Sequence, residues 1–192
     1  MLYQYKMSGI CQDLLLTSLT EYYNKNPEYK TVLSEIITGK HRLSLRLIDW
    51  LVTHYSKSKN TFYWVNKKNQ EIFESYNTEF DSEKCKRFNM YLDYRAQLKS
   101  YAKVNFDSFR RHDRITFFLD KEYEKHIETT VGQLNFFRWI FNNNVIQYAI
   151  NHYEDIYQNM IDNNSYHKTN KQKQVHMPVQ DITKSLCTLR FD

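Results

Sequence analysis

The densest group of chemistry-bearing side chains is Arg110-Arg111-His112-Asp113-Arg114, with Phe106 and Phe109 just ahead of it. Arginine forks match phosphate oxygens, and flanking aromatic rings can stack on bases, so this combination is what a surface for single strands or nucleic-acid backbone requires. The plain alternative is a solvated turn whose rings are core and whose charges pair with Glu122, Glu124 and Glu128. A second group is Lys40, His41, Arg42, Ser44 and Arg46, at a helix start where backbone N–H groups favour an anion. Ordinary exposed charge explains it equally simply. A third basic stretch, Lys57, Lys59, Lys67 and Lys68 around Tyr63 and Trp64, would touch a backbone or stack a base, unless the rings are core.

Charge supports the same direction without deciding it. The chain of 192 residues carries a net +5. The excess lies in the middle and at the end: residues 40–75 hold 7 Lys/Arg against 3 Asp/Glu, residues 76–115 hold 9 against 6, and residues 161–192 hold 5 against 3. A polyanion partner suits that distribution, although the sequence pI of about 8.9 is below that of many strong nucleic-acid binders.

Motifs for catalysis are missing. There is no P-loop, GxGxxG, GxSxG or HExxH, and the seven histidines are dispersed without ligand spacing. Asp107, Asp113, Asp120, Glu122, Glu124 and Glu128 could hold magnesium only if the fold gathered them. Cys11, Cys85 and Cys187 form neither a disulfide framework nor a zinc motif. The reading is a non-catalytic protein with no cofactor and no metal.

These groups must be positioned by helices. Gly 3 and Pro 2 are far too few for a turn-rich β protein, while aromatic residues reach 16%. Apolar spacing predicts a helix over Gln12 to Tyr23 and a second from Tyr29 to Thr38, with Gly39 as its C-terminal cap. A third is predicted from Ser44, a good N-cap, to Tyr55. The last two have the outline of a helix-turn-helix that would present Arg46, Asp49, Thr53 and His54 outward, or of a plain helical hairpin.

Thr61–Val65 and the run around Ile72 and Phe73 predict a small β-hairpin. A long helix is predicted from a cap at Asp81 to about Lys103, and a strand over Arg114 to Leu119. Thr130 and Gln133 have the form of a capping box ahead of an apolar helix, which Asn142-Asn143-Asn144 interrupts before a helical face resumes toward Ile161. The fold class is therefore mainly α (α+β), a multi-helix domain with a small hairpin or short strands.

Residues 1–162 read as one domain and residues 163–192 as a flexible tail. Its end, Leu186 to Phe191, alternates well enough to dock as a strand or serve as a peptide for a protein partner, viral or host, or is simply a frayed terminus. No segment resembles a signal peptide, a membrane span or a lipid anchor, so a soluble intracellular protein is expected.

The stretches GKHRLSLRLIDWLVTHYSKSKN (39–60), AQLKSYAKVNFDSFRRHDRI (96–115) and ETTVGQLNFFRWIFNNNVIQYA (128–149), with the closing LRFD, resemble a family of uncharacterised proteins of nucleocytoplasmic large DNA viruses. The resemblance implies a viral origin, in host cytoplasm or virion, and no particular activity. Members carry a proline and a cysteine in the segment matching Phe106 to Arg110, where this chain has Ser108 and runs straight into Phe109-Arg110. That departure argues against a metal role there. Two expectations follow: a nucleic-acid-associated protein using Lys40, His41, Arg42, Arg46, Lys67, Lys68, Arg110, Arg111 and Arg114, or a structural or adaptor protein binding through aromatic faces and the tail.

Overall fold

The computed structural model describes residues 2–66, 68, 71–75, 84–120 and 125–163, with side chains from Gln12 onward. Helix α1 (Leu2–Lys25) starts well before the predicted Gln12. Asn26 breaks it by folding its amide back to Tyr22 O at 2.7 Å. Pro27 then opens α2 (Pro27–Ile37) at a position where its missing N–H costs nothing. Gly39 takes φ +73°, the left-handed conformation that closes α2. Lys40 N and His41 N both donate to Glu35 O there, at 2.8 and 3.1 Å.

Ser44 caps α3 (Leu45–Trp50), its hydroxyl accepting from Leu47 N at 3.1 Å. The helix does not end at Tyr55. It widens into a π-helical turn over Leu51–Tyr55 and tightens again as α4 (Ser56–Lys59). Hydroxyls of Thr53, within the widened turn, and Ser56, just after it, back-bond to Asp49 O and Val52 O, both at 2.7 Å. Left-handed Asn60 stops it.

Strands β1 (Phe62–Asn66) and β2 (Ile72–Phe73) form the predicted hairpin, but β1 has a second antiparallel neighbour, β3 (Cys85–Asn89). The predicted helix from Asp81 is wrong in its first part: residues 85–89 are extended, and α5 (Met90–Asn105) begins one residue later. Phe88 sits three residues before Tyr91, which continues a helical period by coincidence. The true cap is Asn89, whose Oδ1 accepts from Leu92 N at 3.0 Å. Asp81 lies outside the described residues.

Strand β4 (Arg114–Asp120) is as predicted, and it pairs with β5 (Lys125–Thr130), which the sequence did not announce. Thr130 caps α6 (Val131–Asn142), accepting from Gln133 N at 3.1 Å. After Asn144 in the left-handed region, α7 (Val145–Asn151) and α8 (residues 153–163) follow.

Helix α6 is the hub: ten of its twelve residues are buried. Around it pack α1, α5, α7 and β5. The aromatic surplus is mostly core, with Tyr23, Tyr63, Phe88, Phe106, Phe136 and Phe137 fully buried. Tyr23 and Tyr63 place their hydroxyls on backbone carbonyls, Leu134 O at 2.9 Å and Asn143 O at 2.7 Å, so neither ring is offered to a partner.

The chain divides into two units, Met1–Met160 and Ile161–Asp192. Of the second, only residues 161–163 are described, as helix. The tail and its terminal docking segment lie outside the described residues. No described helix is long and apolar enough to cross a membrane.

Candidate functional site

The loop between α5 and β4 is built on anchors. Phe106 plugs the core at 1% exposure. Asp107 N donates to Gly132 O at 3.3 Å, and Asp107 Oδ1 accepts from Phe109 N at 2.8 Å, which turns the chain. Buried Ser108 donates its hydroxyl to Asp49 Oδ1 at 2.5 Å and receives Gln133 Nε2 on its carbonyl at 2.7 Å. The capping box is thus only half formed. Gln133 turns away from the helix start to hold Ser108, and its Oε1 accepts from Thr129 Oγ1 at 3.0 Å.

Past these anchors the loop opens to solvent. Phe109 is 42% exposed, and Arg111, His112 and Arg114 are exposed. Arg110 is held against Asp113 Oδ2 at 2.5 Å, while Asp113 takes φ +58°. Of the acids that the solvated-turn alternative invoked, Glu128 accepts from Thr116 Oγ1 at 2.8 Å, and Glu122 and Glu124 lie outside the described residues.

At the start of α3, Lys40 and Arg46 are exposed. His41 Nδ1 accepts from Leu43 N at 3.0 Å, which makes this nitrogen the bare one of the ring. Arg42 reaches Glu154 at 3.3 Å and lies 4.2 Å over the Tyr153 ring. Lys68 is exposed, its amide on Asn66 Oδ1 at 2.9 Å; Lys67 lies outside the described residues. Phe106 and Tyr63 are buried and cannot stack on a base.

The sequence placed Asp49 on the outer face of α3, but it faces inward onto Ser108. That hydrogen bond seats the arginine loop against the helix carrying Arg46, one turn before Asp49. Two basic segments more than sixty residues apart in sequence are thereby joined. Burial raises the Asp49 carboxyl above its usual range; the Ser108 hydroxyl opposes this, nearby Asp107 adds to it, and His54 and Lys103 lower it.

The folded state therefore holds that proton more tightly than the unfolded chain. The resulting stabilisation is complete below the ordinary carboxylate pKa and is lost as pH rises through the raised one. Asp49→Asn keeps an oxygen for Ser108 and removes the buried charge. In urea unfolding at pH 7 we expect it to be more stable than the parent by about 0.5 kcal/mol, small because the site is partly wet. The advantage should vanish near pH 4, and a variant less stable at both pH values would refute the assignment.

A second polar site escaped the sequence reading. Helices α1, α5 and α6 enclose a cleft of about 570 Å³. In its wall, Arg138 is the lone charged residue of α6. Its Nη1 donates to Ser18 Oγ at 3.3 Å; its Nη2 donates to Tyr101 O–H oxygen at 3.2 Å and Asn135 Oδ1 at 2.7 Å. Asp93, in the same cleft, accepts from Trp139 Nε1 at 2.7 Å. The available signal was a single arginine inside the apolar run LNFFRWIF. Near the cleft α5 is broken: Ala102 has φ +58° and ψ 160°, a strained conformation for a residue with a Cβ.

Among the described residues, no three His, Cys, Asp or Glu side chains gather as a metal site. No solved structure matches the chain. The uncharacterized protein L507 of Acanthamoeba polyphaga mimivirus is 30% identical over 175 residues, covering 90% of this chain and 61% of the relative. The chain thus spans less than two thirds of that relative's length, and the giant-virus resemblance read from the sequence holds. A model of a family of unknown function, DUF7197, matches residues 4–186, and the chain belongs to that family.

Proposed function

We propose that this chain is a non-catalytic protein that associates with nucleic acid through its sugar-phosphate backbone, in the expression, replication or packaging of a viral genome. The observation that carries the reading is the Ser108–Asp49 hydrogen bond, which sets the exposed Arg111, Arg114 and Phe109 segment against the helix of Arg46. Arginine suits phosphate oxygens, and Phe109 offers a ring to an unpaired base. Contacts of this kind position a polymer without reading its sequence.

Binding would be measured on single-stranded and duplex DNA and RNA across a salt series. Arg110 is already committed to Asp113, so the informative variant is Arg111→Ala/Arg114→Ala. We expect it to weaken binding by about tenfold near 0.1 M salt and to flatten the log–log salt slope by about 1 to 2. Absence of binding at low salt, or a variant with parental affinity and slope, refutes the reading. The adaptor alternative has a few exposed rings among the described residues, such as Phe62, Phe118 and Tyr157, and the tail beyond them. It would act through those rings and residues 164–192, as a virion component or accessory subunit in the host cytoplasm, and deletion of the tail would abolish partner recovery.

A further inference from the structure

Helix α6 is buried along almost its whole length, yet it carries a guanidinium. Arg138 is half-buried at the cleft, so its charge is partly withdrawn from water, and a structural arginine in such a place ordinarily sits on a carboxylate. Arg138 does not. Its three acceptors are a serine hydroxyl, a tyrosine hydroxyl and an asparagine oxygen, one from each of the three helices that enclose the cleft.

Carboxylates are at hand: Glu21 and Asp93 line the same cleft. Asp93 is turned to the indole of Trp139 and to Gln97 Nε2 at 3.5 Å. Glu21 forms no ion pair among the described residues. Three of the five guanidinium N–H donors are used, so the group is fixed in orientation by its neighbours with donors left for something else. Two further cations, Lys25 from α1 and Lys86 from β3, stand at the same cleft, and neither pairs with a carboxylate among the described residues.

We propose that this cleft binds a small phosphate-bearing molecule, with its phosphate between Arg138 and the two lysines. Three cations from three elements outnumber the two carboxylates of the lining, and because neither Glu21 nor Asp93 pairs with them among the described residues, their donors suit a phosphomonoester. The volume of about 570 Å³ falls in the range of ligand pockets and leaves room for an organic part beyond the phosphate. Gln97 and Asn142, whose amides both donate and accept, would meet polar groups of that part. The site is separate from the arginine loop, and it stands whether or not the chain binds nucleic acid.

The test is titration calorimetry on the full chain with inorganic phosphate, a mononucleotide, a sugar phosphate and succinate, with thermal unfolding alongside. Saturable binding of a phosphate compound and a raised melting temperature are expected, with succinate at least tenfold weaker. Arg138→Lys keeps a charge but loses the held fork, and should weaken binding about tenfold. Because Arg138 also pins three helices together, the rim variant Lys25→Gln/Lys86→Gln is the control. Both lysine side chains are exposed, so it should weaken binding to a similar degree with an unchanged melting temperature in the absence of ligand.

No saturable binding of any phosphate compound up to about 10 mM overturns the proposal, as does parental affinity in both variants. Equal affinity for succinate overturns the phosphate assignment. The Arg111→Ala/Arg114→Ala chain must retain the mononucleotide; loss there would move the contact to the loop and overturn the cleft.

Discussion

Phe106→Ala is expected to cost about 3–5 kcal/mol of stability, the range for emptying a large aromatic from a packed core. The ring is 1% exposed and lies between four others: Phe136 at 5.5 Å, Trp139 at 5.8 Å, Tyr94 at 5.9 Å and Tyr101 at 6.2 Å between centroids. None of these can swing into the space alone. Phe136 and Trp139 are fixed on the central helix, and the Trp139 indole N–H is held by Asp93. Against a typical total of about 5–15 kcal/mol, the loss leaves a marginal fold. Urea unfolding followed by both tryptophan fluorescence and far-UV dichroism gives the number. A loss below about 1.5 kcal/mol would mean that the cluster closes over the gap and that Phe106 is not its centre.

Gly132→Val should be nearly as damaging, through the opposite fault. A Cβ at this position meets Val104 O at 3.0 Å and Asn105 C and Asp107 N at 3.5 Å, all of them backbone atoms. A backbone wall cannot rotate aside as a side chain can. The same wall is fastened by the Asp107 N to Gly132 O hydrogen bond at 3.3 Å. Alanine there gains about 1 kcal/mol in helix propensity and loses about 1–3 kcal/mol by overpacking, so it should be near neutral or mildly destabilising. Valine adds two carbons at the closest approach and should cost about 3 kcal/mol. If the valine variant unfolds at the parental urea concentration, the first turn of α6 does not press on the end of α5.

Local signals in the sequence located most elements and failed where long-range pairing decides. Gly39, Ser44 and Thr130 each carry a reason for a helix end that requires no knowledge of the rest of the chain, and each is where the structure uses it. By contrast, β5 is Lys-His-Ile-Glu-Thr-Thr, with Ile127 its single large apolar residue; it is a strand because β4 lies beside it. The same holds for β3, where the Tyr63 and Phe88 rings at 5.2 Å secure a pairing that helical periodicity concealed.

Functional groups follow the same division. The arginine loop was visible as a string of residue types. Its seating on Asp49 was not, because an aspartate on an exposed-looking helix face gives no notice of a serine fifty-nine residues away. Arg138 was hidden for a related reason: its three neighbours come from residues 18, 101 and 135, and only folding assembles them.

The arginine loop leaves and rejoins the protein at nearly one place. On its way out, Asp107 is tied to Gly132; on its return, Arg114 is paired with Thr130. Whatever lies between is an excursion with a closed base, and the core is indifferent to its length. Doubling such a stretch adds only about 0.6 kcal/mol in closure entropy. Residues 109–113 thus form an interchangeable cassette on a fixed mount, where insertions and new residue types can be tried by a lineage without endangering the fold.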